Sequence, residues 1–208
     1  MEKLTELNSD LTTYPIAETF HSIQGEGAWT GVSAFFIRLA GCNVGCPWCD
    51  QKESWTDKTF PKYSSEMLST KAQQANASIV VITGGEPLMY NLFPLTDKLR
   101  KLGMKIHLET SGSYPFSGNF NWVTFSPKPF KAPHESIYVK ASELKIIIAD
   151  QKDFEWAEKQ KSKTNSQSIN FLQPEWNSRT SSSLIYKYIC KHPEWRMSLQ
   201  THKFLGVR

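Results

Sequence analysis

Seven short apolar runs, four to six residues each, punctuate the chain: Ala34–Leu39, Ile79–Ile82, Lys105–Leu108, Trp122–Phe125, Leu144–Ala149, Ile169–Leu172 and Trp195–Leu199. Their length and β-branched and aromatic content predict strands. Between several of them, apolar residues recur at helical spacing over Ser65–Ala75, Asn91–Leu102, Phe154–Lys161 and Ser182–Lys191. Gly103 stands where a C-terminal cap would end the second helix. Strands alternating with helices predict βα units on a parallel sheet. The polar stretch Gln160–Ser168 predicts an exposed connection, not a domain boundary. One domain over 1–208 is expected, with 1–13 a flexible N-terminus.

The polar residues at the end of each strand carry more information. AGCNVGCPWCD comes after Leu39, TGGEP after Ile82, Glu109-Thr110 after Leu108, Ser126-Pro127-Lys128 after Phe125, Gln173-Pro174 after Leu172 and QTHK after Leu199. Parallel strands end on one side, so these clusters converge on the face where βα barrels place their active sites. About six units fit the length, fewer than the eight of a full barrel of ~250 residues. The expected fold is therefore an α/β, incomplete, partial TIM-like βα barrel whose open side admits a sizeable ligand.

Composition narrows the class. A hydrophobic fraction of 39% with 12% aromatics excludes a wholly disordered chain. The charge of +4, from 24 basic and 20 acidic residues, is mild and scattered, which argues against a dedicated nucleic-acid binder. No apolar stretch approaches the ~20 residues of a membrane-spanning helix. The N-terminus lacks a signal-peptide layout, so a cytoplasmic protein with reduced cysteines is expected. Cys42, Cys46 and Cys49 fall within eight residues and read as metal or redox ligands. Cys190, on an apolar helical pattern, is expected to be buried and inert. His21, His107, His134 and His192 receive no role, most of them reading as satisfied loop or surface histidines.

Three thiols without a nearby fourth Cys or His fit a structural zinc site poorly, since such sites close with four ligands. On a 4Fe–4S cube they leave one iron without a protein ligand. Cys-x3-Cys-x2-Cys, with Trp48 before the last cysteine, resembles the cluster motif of the radical S-adenosylmethionine (SAM) superfamily. The resemblance implies that SAM chelates the open iron and that one-electron reduction releases a 5′-deoxyadenosyl radical. It also implies cofactor contacts at Trp48, Cys49, Asp50, Gly84, Gly85, Glu86, Glu109, Ser126, Pro127, Lys128 and Gln173.

SIQGEG, then FIRLAGCN, then the cysteines, narrows this further. Gln24 and Glu26 offer amide and carboxylate groups able to read a pterin edge. Arg38, an arginine among apolar neighbours, requires an anionic partner if it points inward. A surface hairpin with a rim arginine is the plainer reading. The pattern resembles the 7-carboxy-7-deazaguanine synthase family from about Glu18 to the C-terminal QTHKFLGVR. That resemblance implies a lyase acting on 6-carboxy-5,6,7,8-tetrahydropterin with loss of ammonia, on the route to queuosine. Ile23, Gln24, Gly25, Glu26, Arg38, Thr83, His202 and Arg208 would contact the substrate, and a chain extended past Arg208 would turn over poorly. Mg²⁺, a flavodoxin or ferredoxin reductant and a homodimer are further implications, the apolar faces of Ser65–Ala75 and Ser182–Lys191 being available for pairing. The family's Cys-Asp-Thr is here Cys49-Asp50-Gln51, which leaves three readings open: Mg²⁺ held by Gln51, by Asp50 through water, or not at all.

Two other readings compete. A glycyl-radical activating enzyme shares the cluster spacing but gives QGEG and QTHK no role. A non-catalytic Fe–S or zinc protein could stack RNA bases on its seven Trp, yet these are dispersed, and Trp122, Trp156, Trp176 and Trp195 read as packing or surface residues.

Overall fold

The apolar runs assemble into one nine-stranded sheet in the computed structural model, which describes residues 12–208. The strands are β1 (Thr13–Ile23), β2 (Ser33–Leu39), β3 (Lys62–Ser64), β4 (Ile79–Gly84), β5 (Ile106–Thr110), β6 (Trp122–Phe125), β7 (Glu143–Ile148), β8 (Ile169–Pro174) and β9 (Trp195–Met197). Their order is β3-β1-β2-β4-β5-β6-β7-β8-β9. The seven strands from β2 to β9 in that order are parallel, as expected. β1 and β3 add an antiparallel edge that the apolar pattern does not reveal. β1 reads TYPIAETFHSI, too polar to resemble a core strand. Of the expected N-terminal tail, residues 1–11 lie outside the described residues, and Thr13 already belongs to β1.

Four of the six crossovers between parallel strands carry an α-helix: α1 (Ser65–Ala75), α2 (Phe93–Lys101), α3 (Asp153–Lys161) and α4 (Ser181–Ile189). A last short helix, α5 (Thr201–Leu205), comes after β9. Ser64 caps α1 by accepting from the Met67 amide at 3.2 Å. Gly103, at φ +75°, turns the chain out of α2. Each of α1 to α4 buries an i, i+3 or i+4 pair, such as Leu68 with Ala72 or Leu95 with Leu99, against the outward residues of the strands. Phe35, Ile37 and Leu39 of β2 with Val80 and Ile82 of β4 form that outer layer. The alternate residues point into the lumen.

Two expectations fail. Cys190 is exposed, because it caps α4 on the side away from the stripe carried by Ser181 and Ile185. The Gln160–Ser168 connection is not merely a surface loop: Gln160 is buried, accepting from the Tyr138 hydroxyl at 2.8 Å, and Asn165 donates its amide to the carbonyls of Tyr138 and Ala141. No described helix is long and apolar enough to cross a membrane.

Candidate active site

Strand register sorts the lumen into levels. Phe36 pairs with Val81, Val81 with His107, and His107 with Trp122. With Trp29, whose ring centroid lies 4.6 Å from that of His107, these residues plug the floor. Burial drives the His107 pKa down to about 4. One alternation later, Arg38 pairs with Thr83, and Glu109 with Thr124, which pairs with Glu143. Above that row opens a cavity of about 830 Å³.

The middle of the cavity holds a lattice of acidic side chains. Glu109 accepts from Gln24 Nε2 at 2.8 Å and from the Thr83 hydroxyl at 3.0 Å. Glu26 forms an ion pair with Lys145 and accepts from Gln200 Nε2 at 2.8 Å. Burial would raise the Glu26 pKa, but the Lys145 ammonium outweighs it and lowers it to about 2. Glu143 accepts from the Ala28 amide at 3.0 Å and the Thr124 hydroxyl at 2.8 Å, and burial raises its pKa. A Cβ at Gly27 would meet Glu143 at 2.2 Å, and one at Gly25 would meet His202 Nδ1 at 2.0 Å. Both glycines of QGEG are therefore required by neighbours within the protein, and Thr201 clamps the same loop by donating to the Gly25 carbonyl.

The rim is the cysteine loop after β2. Its three thiols are half-buried and lie on the cavity wall. The Cys42 amide donates to the Trp55 carbonyl at 3.0 Å, and the Cys49 amide to the Cys46 carbonyl at 3.1 Å. Cys49 Sγ accepts from the Gln51 amide and Trp55 Nε1, both at 3.4 Å. Burial raises the Cys42 and Cys46 pKa values. Gly85 packs beneath this loop, where an added Cβ would lie 2.2 Å from the Gly41 carbonyl oxygen and 2.9 Å from Cys42 Cβ. The glycine pair of TGGEP thus lets two backbones touch, a need that precedes any ligand. Among the described residues, the one trio of potential metal-ligating atoms within 4.8 Å of one another is Glu158, His192 and Glu194, where Lys161 already serves as counter-ion. The three thiols do not form so tight a trio. Three cysteines with no fourth protein ligand beside them fit a cluster with one open iron better than a zinc site closed by four ligands.

All eight expected substrate contacts line this cavity: Ile23, Gln24, Gly25, Glu26, Arg38, Thr83, His202 and Arg208. Of the cofactor candidates, Trp48, Cys49, Asp50, Gly84, Gly85, Glu109, Ser126, Lys128 and Gln173 line it too. Glu86 and Pro127 do not. Glu86 is buried with four protein donors on its carboxylate: the Leu88 amide, the Ser111 amide and hydroxyl, and the Thr110 hydroxyl. It braces the TGGEP turn against the end of β5. Burial lowers the pKa of Lys128, which donates to Ser126, to about 8. The plain hairpin reading of β1 and β2 is half right, since the hairpin exists but faces the cavity.

This architecture has known counterparts. A model of the radical SAM superfamily matches residues 36–119. The 7-carboxy-7-deazaguanine synthase of Synechocystis sp. is 54% identical over 202 residues, covering 96% of this chain and 97% of that protein. The chain belongs to the 7-carboxy-7-deazaguanine synthase family. The synthase of Escherichia coli K12 is 36% identical over 93% of this chain and 99% of its own. The crystal structure of QueE from Escherichia coli superposes with a TM-score of 0.85 at 34% identity, over 94% of this chain and 98% of that one. Membership in the radical SAM superfamily brings a 4Fe–4S cluster and SAM as cofactors.

Within this 7-carboxy-7-deazaguanine synthase relative, several site residues escape sequence reasoning. Lys145 sits in an apolar strand, and its charge among LKIIIA was the available signal. Glu18 lies in the unrecognised β1. Trp176, expected to be packing or surface, lines the cavity mouth, 5.0 Å from Lys203 Nζ and 5.3 Å from the Phe204 ring. Lys203 also pairs with Asp50 at 2.9 Å, tying α5 to the cysteine loop. Both Mg²⁺ candidates line the cavity, and of the two Asp50 is engaged by the Lys203 ammonium.

Proposed function

We propose that the protein is a radical SAM lyase that converts 6-carboxy-5,6,7,8-tetrahydropterin to 7-carboxy-7-deazaguanine and ammonia, in 7-deazapurine synthesis toward queuosine. One observation carries this reading: a single cavity joins the three-thiol rim to a row of acceptors ending in an arginine. Held at the rim by Cys42, Cys46 and Cys49, a 4Fe–4S cluster with SAM would supply the radical chemistry for hydrogen abstraction from the substrate.

The chain's own residues do the rest. Glu26, kept ionised by Lys145, and Glu109, held by Gln24 and Thr83, accept hydrogen bonds from the donor-rich pterin edge. Arg38 receives the substrate carboxylate. It is already bonded to Glu18 through Nε at 2.8 Å, which fixes its plane and leaves the paired Nη groups for a ligand. The aromatic floor closes the bottom of the lumen, so reactive species meet protein instead of water. Loss of ammonia alone balances substrate and product, so no net oxidant is needed.

Mg²⁺, in this reading, would be held by the Gln51 side-chain oxygen, a neutral hard donor on the cavity wall, and would supply positive charge beside the substrate. The electron comes from a flavodoxin or ferredoxin, and a homodimer in the cytoplasm is the working form, as the family resemblance implies. The test is anaerobic turnover of reconstituted protein with SAM, reductant and the carboxylated tetrahydropterin, reading products by mass. The expected result is 7-carboxy-7-deazaguanine with one ammonia per product. SAM cleavage that is indifferent to pterin would instead favour the protein-activating alternative.

A further inference from the structure

The substrate arginine does not stand alone. Glu18, on β1, holds two guanidinium groups at once: Arg38 through one carboxylate oxygen and Arg208 through the other. Both cations lie over the same ring, Phe20, with Arg38 Cζ 6.0 Å and Arg208 Cζ 5.3 Å from its centroid. Phe20 is itself stacked on Phe36 at 4.8 Å, so the platform is rigid. The Ser22 hydroxyl donates to the Arg208 main-chain oxygen at 2.5 Å, which pins Arg208 to β1. Glu18, Phe20, Phe36, Arg38 and Arg208 all line the cavity.

We propose that the Arg208 guanidinium is a second reader of the substrate carboxylate, and that Glu18 is the positioning residue that sets it beside Arg38. Two guanidinium groups sharing one carboxylate remain attractive to another anion at the same mouth. Glu18 organises them before the ligand arrives, so less side-chain entropy is lost on binding. The Arg38 side chain is 17% exposed and that of Arg208 is 71% exposed. Arg208 therefore acts as the outer, salt-sensitive member of the pair. Specificity for a carboxylated over an uncarboxylated pterin then depends on both residues, while recognition of the pterin ring by Glu26 and Glu109 does not.

This inference rests on the substrate class proposed above, and the experiment separates the two. Anaerobic calorimetry on holoprotein measures the affinities of 6-carboxypterin and pterin for wild type, Arg208→Ala, Arg208→Lys and Glu18→Gln. Arg208→Ala is expected to weaken 6-carboxypterin by roughly 10-fold, as loss of one charge-assisted contact does, with pterin changing less than about 2-fold. Arg208→Lys should restore part of the loss, Glu18→Gln should lower the carboxylate preference, and added salt should erode it more in wild type than in Arg208→Ala. A carboxylate preference unchanged in Arg208→Ala, or equal losses for both ligands, overturns the role of Arg208. If wild type binds neither ligand, the substrate reading itself fails.

Discussion

The floor and the row above it share the same strands, two residues apart. Phe36 becomes Arg38, Val81 becomes Thr83, His107 becomes Glu109 and Trp122 becomes Thr124. All eight side chains point into the lumen, because strand residues alternate with period two. Of the lower four, Val81, His107 and Trp122 lie below the cavity and Phe36 forms part of its base, whereas Arg38, Thr83 and Glu109 of the upper four line its wall. Lumen orientation alone therefore does not make a residue functional; its height along the strand does. His107 illustrates the point, since its Nε2 has no partner among the described residues and its neighbours are tryptophans.

Several substitutions would break this contrast, starting at the rim. Cys46→Ala removes one of three thiolates and is expected to abolish cluster loading and turnover, read as lost iron and lost visible absorbance. Lys145→Met comes next, leaving Glu26 charged and buried without its partner. Breaking a buried pair costs about 3–5 kcal/mol, which lowers the melting temperature by roughly 6–20 °C for a chain of this size. The sign with pH comes from linkage. The folded-state pKa of Glu26 is about 2, below its ordinary 4.5, so its stabilisation is full above pH 4.5 and is lost as pH falls toward 2. Lys145→Met should flatten that acid limb in melting curves recorded between about pH 2 and 5.

Gly25→Ala is smaller, since the clash is with a side chain, His202, and not with backbone. Weaker substrate binding by roughly 10-fold, an increase in KM with a lesser change in kcat, is the expected cost of displacing α5. At the floor, His107→Phe should leave turnover intact and alter only acid stability. Its folded-state pKa of about 4 lies below 6.5, so the stability of the wild type falls as pH drops through that window. The variant should lose that slope between about pH 7 and 4, measured as melting temperature. Cys190→Ser, on the exposed end of α4, should change stability by no more than about 0.5 kcal/mol and leave iron content untouched.

The parallel core was legible because buried strands are short, apolar and bounded by polar turns. Trp122–Phe125 and Ser65–Ala75 fall where the pattern puts them. β1 was not legible, since one face of it lines a polar cavity and its alternation carries Glu18 and Ser22 instead of aliphatic residues. The cysteine loop was legible from spacing alone, because its ligands are local in sequence. The acidic lattice was legible only in part: Glu26 and Glu109 stand in motifs that the sequence singles out, whereas Glu143, Lys145 and Gln200 are scattered along the chain and are brought beside them only by the sheet and the loops at its end. The TGGEP glycines stand at a strand end, where contact with the Gly41 and Leu39 backbones already requires them.

The central claim is that three thiols carry iron with one corner open to a small molecule. Mössbauer and electron paramagnetic resonance spectra of anaerobically reconstituted, reduced protein, recorded with and without SAM, test this most directly. About four irons per chain, in a 4Fe–4S signal that changes when SAM is added, is the predicted result. One zinc per chain without iron, or a cluster signal indifferent to SAM, would contradict it.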